Sequence, residues 1–491
     1  MPEALTQAEI LSPAPILEAV ERYRGTIVDL DACRALSGDD FARARETLIA
    51  ALAGAGLAAG DRVIVAIPNG PLFVAVLTAV LACEASPLLL HFKTPAAEVR
   101  RYAQRFGARF LAFDPQDEVD FGDLLAVSLD HDFAELSTLR FAALDVPDAM
   151  LDGPLLRGVP LHPTSGSTGL PKIALRPGFA AIQEAVHYAA TLAIDEDDNI
   201  LAIPPMSHAY GYGMCVMVPL LTGANLVTTR KFSDKLIHRA LAEHPVTILP
   251  TVPAMLDALS FGRGADLRRA RWVLTAGAML PQRAADQFRA KTGVTACPLY
   301  GTTETGGISV ATAADGRDVD GRVGRPMSGV SVKLGTPEMG SEATSGLGRL
   351  LVRSTSMMAG YLDDVGNILP VADDWFETGD LARLDDDGVI HLRGRDSEVI
   401  NVFGLKVVPC EVEEVITGLA GVVEVKVYAG EHRSGTQVVK AAVAVENALN
   451  ANDIRAHCEQ HLVYYKRPQV VTLVDRLPRT PTGKIQREQL P

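Results

Sequence analysis

The segment PTSGSTGLPK, at residues 163 to 172, carries the densest chemical signal in the chain. Its small residues let backbone N–H groups approach an anion closely, its hydroxyl groups can donate to phosphate oxygens, and Lys172 adds a positive charge. A flexible linker has a similar composition, but the ordered Pro-Lys ending favours a loop that binds polyphosphate. A Walker A loop is disfavoured, because that pattern requires Ser or Thr after the lysine and Ile173 stands there.

Around this loop, short β-type runs alternate with helix-length segments. The runs lie at 62–68, 109–113, 199–205, 246–253 and 272–278, and segments such as 94–106 and 281–292 separate them. This alternation is typical of α/β layers with largely parallel sheets, in which ligands bind at the carboxyl ends of the strands. The most apolar stretch, 71–83, is too short to span a membrane, and we expect it to form a buried helix.

The pattern changes after residue 320. Short strands with glycine turns at 329–335, 348–354 and 386–395 predict a small antiparallel β subdomain over about 321–395. Beyond it, mixed strands and helices indicate a compact α+β domain. We therefore predict an α/β fold with a large N-terminal domain at 1–395, made of two layered α/β subdomains and the β subdomain, and a small C-terminal domain at 396–491.

Composition restricts the classes of protein to consider. The 491 residues exceed what one hydrophobic core usually supports, and 48% apolar with 22% charged residues is typical of a globular protein. The formal net charge of -14 disfavours nucleic acid and anionic membranes as partners. The six cysteines show no spacing typical of zinc sites or disulfide frameworks. Because the N-terminus also lacks a signal-peptide pattern, we expect a cytoplasmic protein without a membrane span.

Four further motifs follow the loop in order. They are LYGTTET at 299–305, WFETGDL at 375–381, LRGRDSEVI at 392–400 and PRTPTGKI at 478–485. Together with the loop they resemble the motifs of the adenylate-forming superfamily, which contains acyl-CoA and aryl-CoA synthetases, nonribosomal-peptide adenylation domains and luciferases. The resemblance covers essentially the whole chain and is nearest to the acyl- and aryl-CoA ligases.

The resemblance implies roles for individual residues. In the family the loop binds the phosphates of ATP, and the motif tyrosine packs on adenine. The threonine before the glutamate binds the α-phosphate, the glutamate helps to hold Mg²⁺, and the G-D aspartate binds the ribose. The matching residues for ATP and AMP are Thr164, Ser165, Gly166, Ser167, Thr168, Gly169, Lys172, Tyr300, Gly301, Thr302, Thr303, Glu304, Asp380 and Arg395, with Thr168 beside Glu304 at the metal. Lys484 matches the catalytic lysine of the C-terminal loop. Ser397 matches the hinge, where the family usually has Asp or Lys, but a hinge needs only a residue that absorbs a backbone change.

The same resemblance implies a reaction in two steps. The substrate carboxylate attacks the α-phosphorus of ATP, pyrophosphate leaves, and Mg²⁺, Lys484 and the loop stabilise the charge. The C-terminal domain then rotates, and the thiol of coenzyme A attacks the acyl-adenylate so that AMP leaves. ATP, Mg²⁺ and coenzyme A are therefore expected. Two alternatives stay open: an enzyme that loads the phosphopantetheine of an acyl carrier protein, and a catalytically silent ATP-binding homologue.

The segment PMSHAYGYGM, at 205–214, occupies the family's acyl-pocket position. By resemblance, His208 is the aromatic gate and joins Thr303, Glu304 and Lys484 as a catalytic candidate, although a structural histidine would look the same. No aspartate lies between Met206 and Pro219 to pair with an ammonium group, which disfavours amino acids. The AYGYG run resembles that of benzoate-type ligases, and the small apolar wall would admit an aromatic acid or a medium aliphatic chain. The expected pocket residues are His208, Tyr210, Gly211, Tyr212, Gly277, Ala278, Met279, Gly306 and Gly307.

Overall fold

The computed structural model describes most of the chain. The described residues are 11–115, 121, 126–128, 139–146, 156–164, 172–260, 266–278, 280, 282–312, 315, 321–335, 348–363, 367–371, 374–395, 400–403, 405–407, 409–431, 436–446, 449–478 and 489–491.

The helices pack mainly against the faces of sheets. Their bounds are Ala14–Arg22 (α1), Gly38–Gly54 (α2), Pro71–Ala82 (α3), Ala96–Phe106 (α4), Gly178–Leu192 (α5), Ala209–Tyr212 (α6), Val218–Thr222 (α7), Asp234–Glu243 (α8), Pro253–Ser260 (α9), Gln282–Thr292 (α10), Pro409–Thr417 (α11) and Ala451–His461 (α12), with a π-helical turn at Gly213–Met217 and a 3-10 turn at Tyr464–Lys466. Helix α3 is buried on every side from Pro71 to Leu81, as a helix that is apolar all round must be. The predicted buried helix is therefore confirmed.

The strands are short, and most belong to two sheets. Their bounds are Ile27–Asp29 (β1), Arg34–Leu36 (β2), Arg62–Ala66 (β3), Ser86–Leu89 (β4), Ala108–Phe113 (β5), Ala126–Ser128 (β6), Arg140–Ala143 (β7), Leu161–Thr164 (β8), Lys172–Leu175 (β9), Asn199–Ala202 (β10), Asn225–Thr228 (β11), Ile248–Thr251 (β12), Trp272–Thr275 (β13), Ala296–Thr302 (β14), Gly306–Val310 (β15), Arg322–Pro326 (β16), Val330–Gly335 (β17), Gly348–Ser354 (β18), Gly360–Leu362 (β19), Ile368–Pro370 (β20), Phe376–Leu384 (β21), Ile390–Arg395 (β22), Ile400–Val402 (β23), Leu405–Val407 (β24), Val422–Glu431 (β25), Gln437–Val445 (β26) and Val470–Val474 (β27). The five runs predicted as strands contain β3, β5, β10, β12 and β13, and each of these pairs in parallel with a neighbour.

The two sheets share one hydrophobic core. The smaller sheet has the strand order β20-β19-β9-β8-β4-β3-β5-β7-β6, and the larger has the order β17-β18-β21-β22-β16-β15-β14-β13-β12-β10-β11-β1-β2. The core between them contains Val63 of β3, Leu77 of α3, Ala185 of α5 and Ile200 of β10. Apolar side chains from two helices and two sheets are thus buried in one shared core. The predicted layered α/β class is confirmed.

The strands of the expected β subdomain are continuous with these sheets. They are antiparallel, as predicted, but β16 pairs with β15 and so extends the larger sheet. Strand β19 instead pairs with β9 and extends the smaller sheet. A sheet edge presents unpaired N–H and C=O groups, and the following strands satisfy them. This segment therefore connects the two sheets at their edges.

The C-terminal part has a core of its own. Strands β23 and β24 form a hairpin, and β25, β26 and β27 form a third sheet against α11 and α12. Its core includes Ile400, Val412, Val443 and Ile454. The proposed boundary after residue 395 adjoins residues 396–399, which lie outside the description, and it stays a prediction. Among the helices of the described residues, none is long and apolar enough to cross a membrane.

Candidate active site

Two motif residues that stand 80 positions apart in the chain come into contact. Tyr300, near the end of β14, donates a hydrogen bond from its hydroxyl to Asp380 Oδ2 at 2.6 Å. Asp380 is buried on β21 and lies opposite Arg395 of β22 in the strand register. The aromatic residue expected at adenine and the carboxylate expected at ribose therefore lie side by side, and the backbone of Arg395 adjoins them.

The turn after β14 is held by its main chain from two sides. Arg176 donates from Nη1 to the carbonyl oxygen of Thr303 at 2.7 Å. The carbonyl oxygen of Glu304 accepts a hydrogen bond from the N–H of Met358 at 2.7 Å. Both bonds are accepted by main-chain oxygens, so they fix the backbone of the turn without using the side chains of Thr303 and Glu304. Those two side chains therefore extend from a backbone that is held in place.

Tyr361 links the predicted metal ligand to the end of the phosphate loop. Its hydroxyl donates to Glu304 Oε1 at 2.9 Å, and Lys172 Nζ lies 5.0 Å from the centroid of its ring. Burial raises the pKa of Tyr361, and the neighbouring Glu304 carboxylate adds to the rise, so the hydroxyl stays a donor. Sequence reasoning missed this residue, because its position follows from the pairing of β19 with β9.

Glu304 is suited to a magnesium ion that also binds ATP. Mg²⁺ is usually held by one or two carboxylates together with substrate phosphates. Across the described residues, no group of three or more His, Cys, Asp or Glu side chains is placed to hold a metal ion. One hard oxygen donor beside the phosphate loop therefore fits a metal that takes its other ligands from the nucleotide and water.

The phosphate loop is closed at its base. Thr164, the last residue of β8, lies opposite Lys172, the first residue of β9, across an antiparallel pair. The loop residues Ser165, Gly166, Ser167, Thr168 and Gly169 lie outside the described residues, as do Met279, Ser397 and Lys484. Their predicted roles stay predictions, and so does the role of the Arg395 side chain.

A buried ion pair lies behind the Thr303–Glu304 turn. Arg176 Nη2 and Glu184 Oε2 are 2.7 Å apart, and the two side chains are only 1% and 2% exposed. Glu184 Oε1 also accepts a hydrogen bond from the N–H of Gly307 at 3.1 Å. Burial raises the pKa of Glu184, and the Arg176 guanidinium opposes that rise. The pair thus connects α5 to both ends of the segment 303–307, and sequence analysis singled out neither residue.

The glycines of the predicted acyl pocket are close to other groups of the chain. A Cβ atom on Gly307 would lie 2.7 Å from the Tyr188 ring, and one on Gly306 would lie 2.7 Å from the Glu184 carboxyl carbon. A Cβ atom on Gly211 would lie 2.1 Å from the carbonyl oxygen of Pro205. At these three positions the missing side chain therefore makes room for other groups of the protein itself.

Three of the remaining predicted pocket residues are aromatic and belong to one segment that follows β10. His208 precedes α6, which carries Tyr210 and Tyr212. The Tyr212 ring meets the ring of His162 on β8 edge to face, with centroids 4.7 Å apart. Sequence reasoning missed His162, although its place two residues before Thr164 could have indicated it. Burial lowers the pKa of His208 to about 4, and the nearby Lys466 adds to the fall, so this ring is neutral near pH 7.

The C-terminal part docks beside His208. Tyr465 lies 6.0 Å from His208 between ring centroids, and Tyr464 lies 5.2 Å from His91. Glu98 on α4 accepts from Lys466 Nζ at 2.8 Å and from the N–H of Val463 at 3.2 Å. A second contact joins the two parts: Asn401 donates from Nδ2 to the carbonyl oxygen of Gly277 at 2.5 Å. Gly277 and the adjacent Ala278 belong to the predicted pocket wall.

Lys466 is the charged centre of this docking contact. It also lies 2.9 Å from Glu411 of α11, so that it bridges carboxylates of the N-terminal and C-terminal parts. Burial alone would lower the pKa of Lys466, but the Glu411 and Glu98 carboxylates together outweigh it and raise the pKa well above its ordinary value. The lysine is therefore charged, and a buried charge requires these partners.

The motif residues that the resemblance assigns to the nucleoside and the metal thus lie together in the N-terminal part, with Tyr300 bonded to Asp380 and Glu304 to Tyr361. This arrangement indicates an enzyme that forms adenylates. The chain belongs to the AMP-binding enzyme family. The model of the AMP-binding enzyme family matches residues 17–362, and that of the AMP-binding enzyme C-terminal domain matches residues 411–484. The predicted family is confirmed.

Acid–CoA ligases are among the relatives of the chain. It is 28% identical to the sulfoacetate–CoA ligase of Cupriavidus necator over 99% of both chains. It is 29% identical to the feruloyl-CoA synthase of an Amycolatopsis species over 92% of both. In fold it is similar to o-succinylbenzoate CoA synthetase of Bacillus subtilis, with a TM-score of 0.80 at 23% identity over 98% of both chains. The prediction of an AMP-forming acid–thiol ligase is confirmed by these relatives.

Proposed function

We propose that the protein joins a carboxylic acid to coenzyme A by way of an acyl-adenylate, with ATP and Mg²⁺ as co-substrate and cofactor. The contact between Tyr300 and Asp380 carries the proposal, because it unites two distant motifs that the resemblance assigns to the adenine and the ribose of one nucleoside. Asp380 would accept the ribose hydroxyls, since an ionised carboxylate is an acceptor only. Tyr300 would offer its ring face to adenine while its hydroxyl orients Asp380.

The first step forms the adenylate. A carboxylate oxygen attacks the α-phosphorus of ATP, the bond from that phosphorus to the bridging oxygen breaks, and pyrophosphate leaves. Mg²⁺, when bound by Glu304 and phosphate oxygens, supplies positive charge at the phosphates. The Tyr361 hydrogen bond orients Glu304. Thr303, on the turn that Arg176 supports, would bind the α-phosphate. Lys484 would enter from the C-terminal domain to stabilise the same charge.

The second step transfers the acyl group. The thiol sulfur attacks the acyl carbonyl, the bond to the AMP oxygen breaks, and the thiol proton passes to solvent or to a base. The docking of Tyr464 and Tyr465 against His91 and His208 supports an approach for the thiol along this interface. Rotation of the C-terminal domain about Ser397 would exchange this arrangement for the one that brings in Lys484.

The acid we propose is aromatic, with a medium aliphatic chain as the second candidate. Support comes from the aromatic residues His208, Tyr210 and Tyr212 of the segment 205–214, and from the contact of the Tyr212 ring with that of His162. Such rings favour offset or edge contacts with an aromatic substrate. We also propose a cytoplasmic location, where ATP and coenzyme A are available. Carrier-protein loading has no support in the named relatives.

Half-reaction assays test the proposal. The protein, ATP and Mg²⁺ are incubated with benzoic, cinnamic and C6 to C12 acids, and pyrophosphate release and acyl-CoA formation are measured separately. We expect pyrophosphate with at least one acid and a thioester when coenzyme A is added. Lys484→Ala should reduce pyrophosphate release by about 100-fold or more, and reduce thioester formation from supplied acyl-AMP far less. Binding of ATP without pyrophosphate release from any acid would contradict the proposal.

A further inference from the structure

Three charged side chains are buried together where the C-terminal part meets α4. Lys466 Nζ lies 2.8 Å from Glu98 Oε1 and 2.9 Å from Glu411 Oε2, and the side chains are 7%, 5% and 9% exposed. Glu98 also accepts a hydrogen bond from the N–H of Val463. Lys466 and Glu411 both belong to the C-terminal part, so Glu98 is the member of this docking triad that the N-terminal part supplies. The triad is therefore complete only while the two parts are docked.

A buried triad of charges suits a contact that forms in one geometry and can be released again. Taking charges out of water is costly, and the cost is offset only where each charge meets its partners in good geometry. A shifted arrangement of the two parts would leave these charges buried without partners, whereas a released triad regains water. An apolar contact is non-directional and would not distinguish between such arrangements. The docking triad thus selects one arrangement of the C-terminal part without making it permanent.

The docked arrangement places the C-terminal part beside the predicted acid pocket. Tyr465, next to Lys466 in the same turn, lies 6.0 Å from His208 between ring centroids. Asn401 of the C-terminal part donates to the carbonyl oxygen of Gly277. The predicted metal ligand Glu304 is instead held by residues of the N-terminal part. These contacts between the two parts therefore lie where the resemblance puts the acyl group, which the thiol attacks in the second step.

We propose that Glu98 and Lys466 are positioning residues for acyl transfer: their bond holds the C-terminal part where the thiol reaches the acyl-adenylate, and it is broken while Lys484 acts in the first step. The inference rests on the proposed function and assigns this contact to one of its two steps. A weaker bond lowers the docked fraction of the protein, and the affinity for a ligand that requires the docked state falls with that fraction. Use of coenzyme A should therefore suffer, while adenylate formation should not.

Glu98→Gln tests the inference, because it removes the charge that α4 supplies and keeps the Lys466–Glu411 pair within the C-terminal part. The two half-reactions are measured separately with the best acid of the panel: the burst of pyrophosphate from ATP and the acid alone, and thioester formation from supplied acyl-AMP. We expect kcat/KM for coenzyme A in the second half-reaction to fall by at least about tenfold. The rate of the pyrophosphate burst should stay that of the wild type.

Glu413→Gln is the matched control. Glu413 also lies beside a lysine, Lys426 at 2.9 Å, and accepts from a backbone N–H, that of Val427 at 2.8 Å, but both partners belong to the C-terminal part. It should leave both half-reactions at the wild-type level. Equal losses in the two half-reactions of Glu98→Gln, no loss in the second, or the same loss in Glu413→Gln would overturn the inference. Absence of pyrophosphate from the wild type with every acid would contradict the proposed function, and the inference with it.

Hydrogen exchange in the wild-type protein decides the matter if Glu98→Gln does not fold. The Val463 amide donates to Glu98 across the docking contact, so its exchange reports whether that contact is closed. We expect this amide to exchange at least about threefold more slowly with saturating AMP and coenzyme A than with saturating ATP and Mg²⁺. Equal exchange under the two conditions would overturn the inference.

Discussion

At the scale of single residues, the Arg176–Glu184 pair is the strongest constraint near the site. Glu184→Gln leaves the Arg176 charge buried and unpaired, and we expect it to lower the free energy of unfolding by about 3–5 kcal/mol. Urea denaturation measures this change. The matched control is Glu243→Gln, which breaks the exposed Arg239–Glu243 pair of α8 and should change the stability far less, because solvent screens that pair. Similar costs for the two variants would contradict a pairing role for Glu184.

His208 makes stability depend on pH. Its pKa in the fold is about 4 against an ordinary 6.5, chiefly because of burial, so the unfolded chain takes up a proton first as the pH falls. The fold should therefore lose stability below about pH 6.5, by roughly 1 kcal/mol at pH 5.5 from this residue alone. His208→Phe should reduce the loss of unfolding free energy between pH 7.5 and 5.5 by that amount. An unchanged pH dependence would show that His208 is accessible to protons in the fold.

At the scale of elements, the contact between β15 and α5 depends on glycine. A methyl group on Gly307 would lie 2.7 Å from the buried Tyr188 ring, so Gly307→Ala must displace a packed side chain. We expect a loss of about 1–3 kcal/mol in the free energy of unfolding. Gly54→Ala, at the end of α2, is the control, because no atom lies within 4 Å of the added methyl group there. It should be neutral or slightly stabilising, and a comparable loss in both variants would refute the packing argument.

The β-type runs of the N-terminal part could be predicted because buried parallel strands are continuous apolar segments. The joining of β16 to β15 and of β19 to β9 could not. Antiparallel strands with glycine turns fit a separate subdomain and a sheet extension equally well, since strand patterns do not specify the neighbouring strand. The choice between them depends on which sheet edges the folded core leaves available.

At the scale of the whole molecule, Lys466 ties the C-terminal part to α4. Lys466→Met leaves Glu98 and Glu411 buried without their cation, so we expect the docking contact to open more often. Hydrogen exchange of the Val463 amide, which donates to Glu98, should rise by about tenfold or more. The control is Lys426→Met, which breaks a pair with Glu413 inside the C-terminal part and should leave the Val463 exchange unchanged. An unchanged exchange rate of the Val463 amide in Lys466→Met would contradict this role of Lys466 in docking.

The class of reaction could be predicted from the sequence motifs alone. Short motifs such as PTSGSTGLPK keep their phosphate-binding groups within a few positions, so spacing is sufficient to recognise them. The comparisons confirmed the family and the acid–CoA ligase class that these motifs indicated. The sequence likewise predicted roles for Tyr300 and Asp380, but it did not predict the hydrogen bond between them.

What only the tertiary structure revealed are the groups that support and surround those motifs. Tyr361, Arg176, Glu184 and His162 belong to no motif, and their partners lie far away in the chain, as Glu304 lies 57 positions from Tyr361. Whether such a polar side chain is paired, charged or left without a partner depends on burial and on neighbours brought together by sheet pairing, neither of which local spacing encodes. The motifs thus predicted the class of reaction, and the tertiary structure showed which side chains hold the motif residues in place.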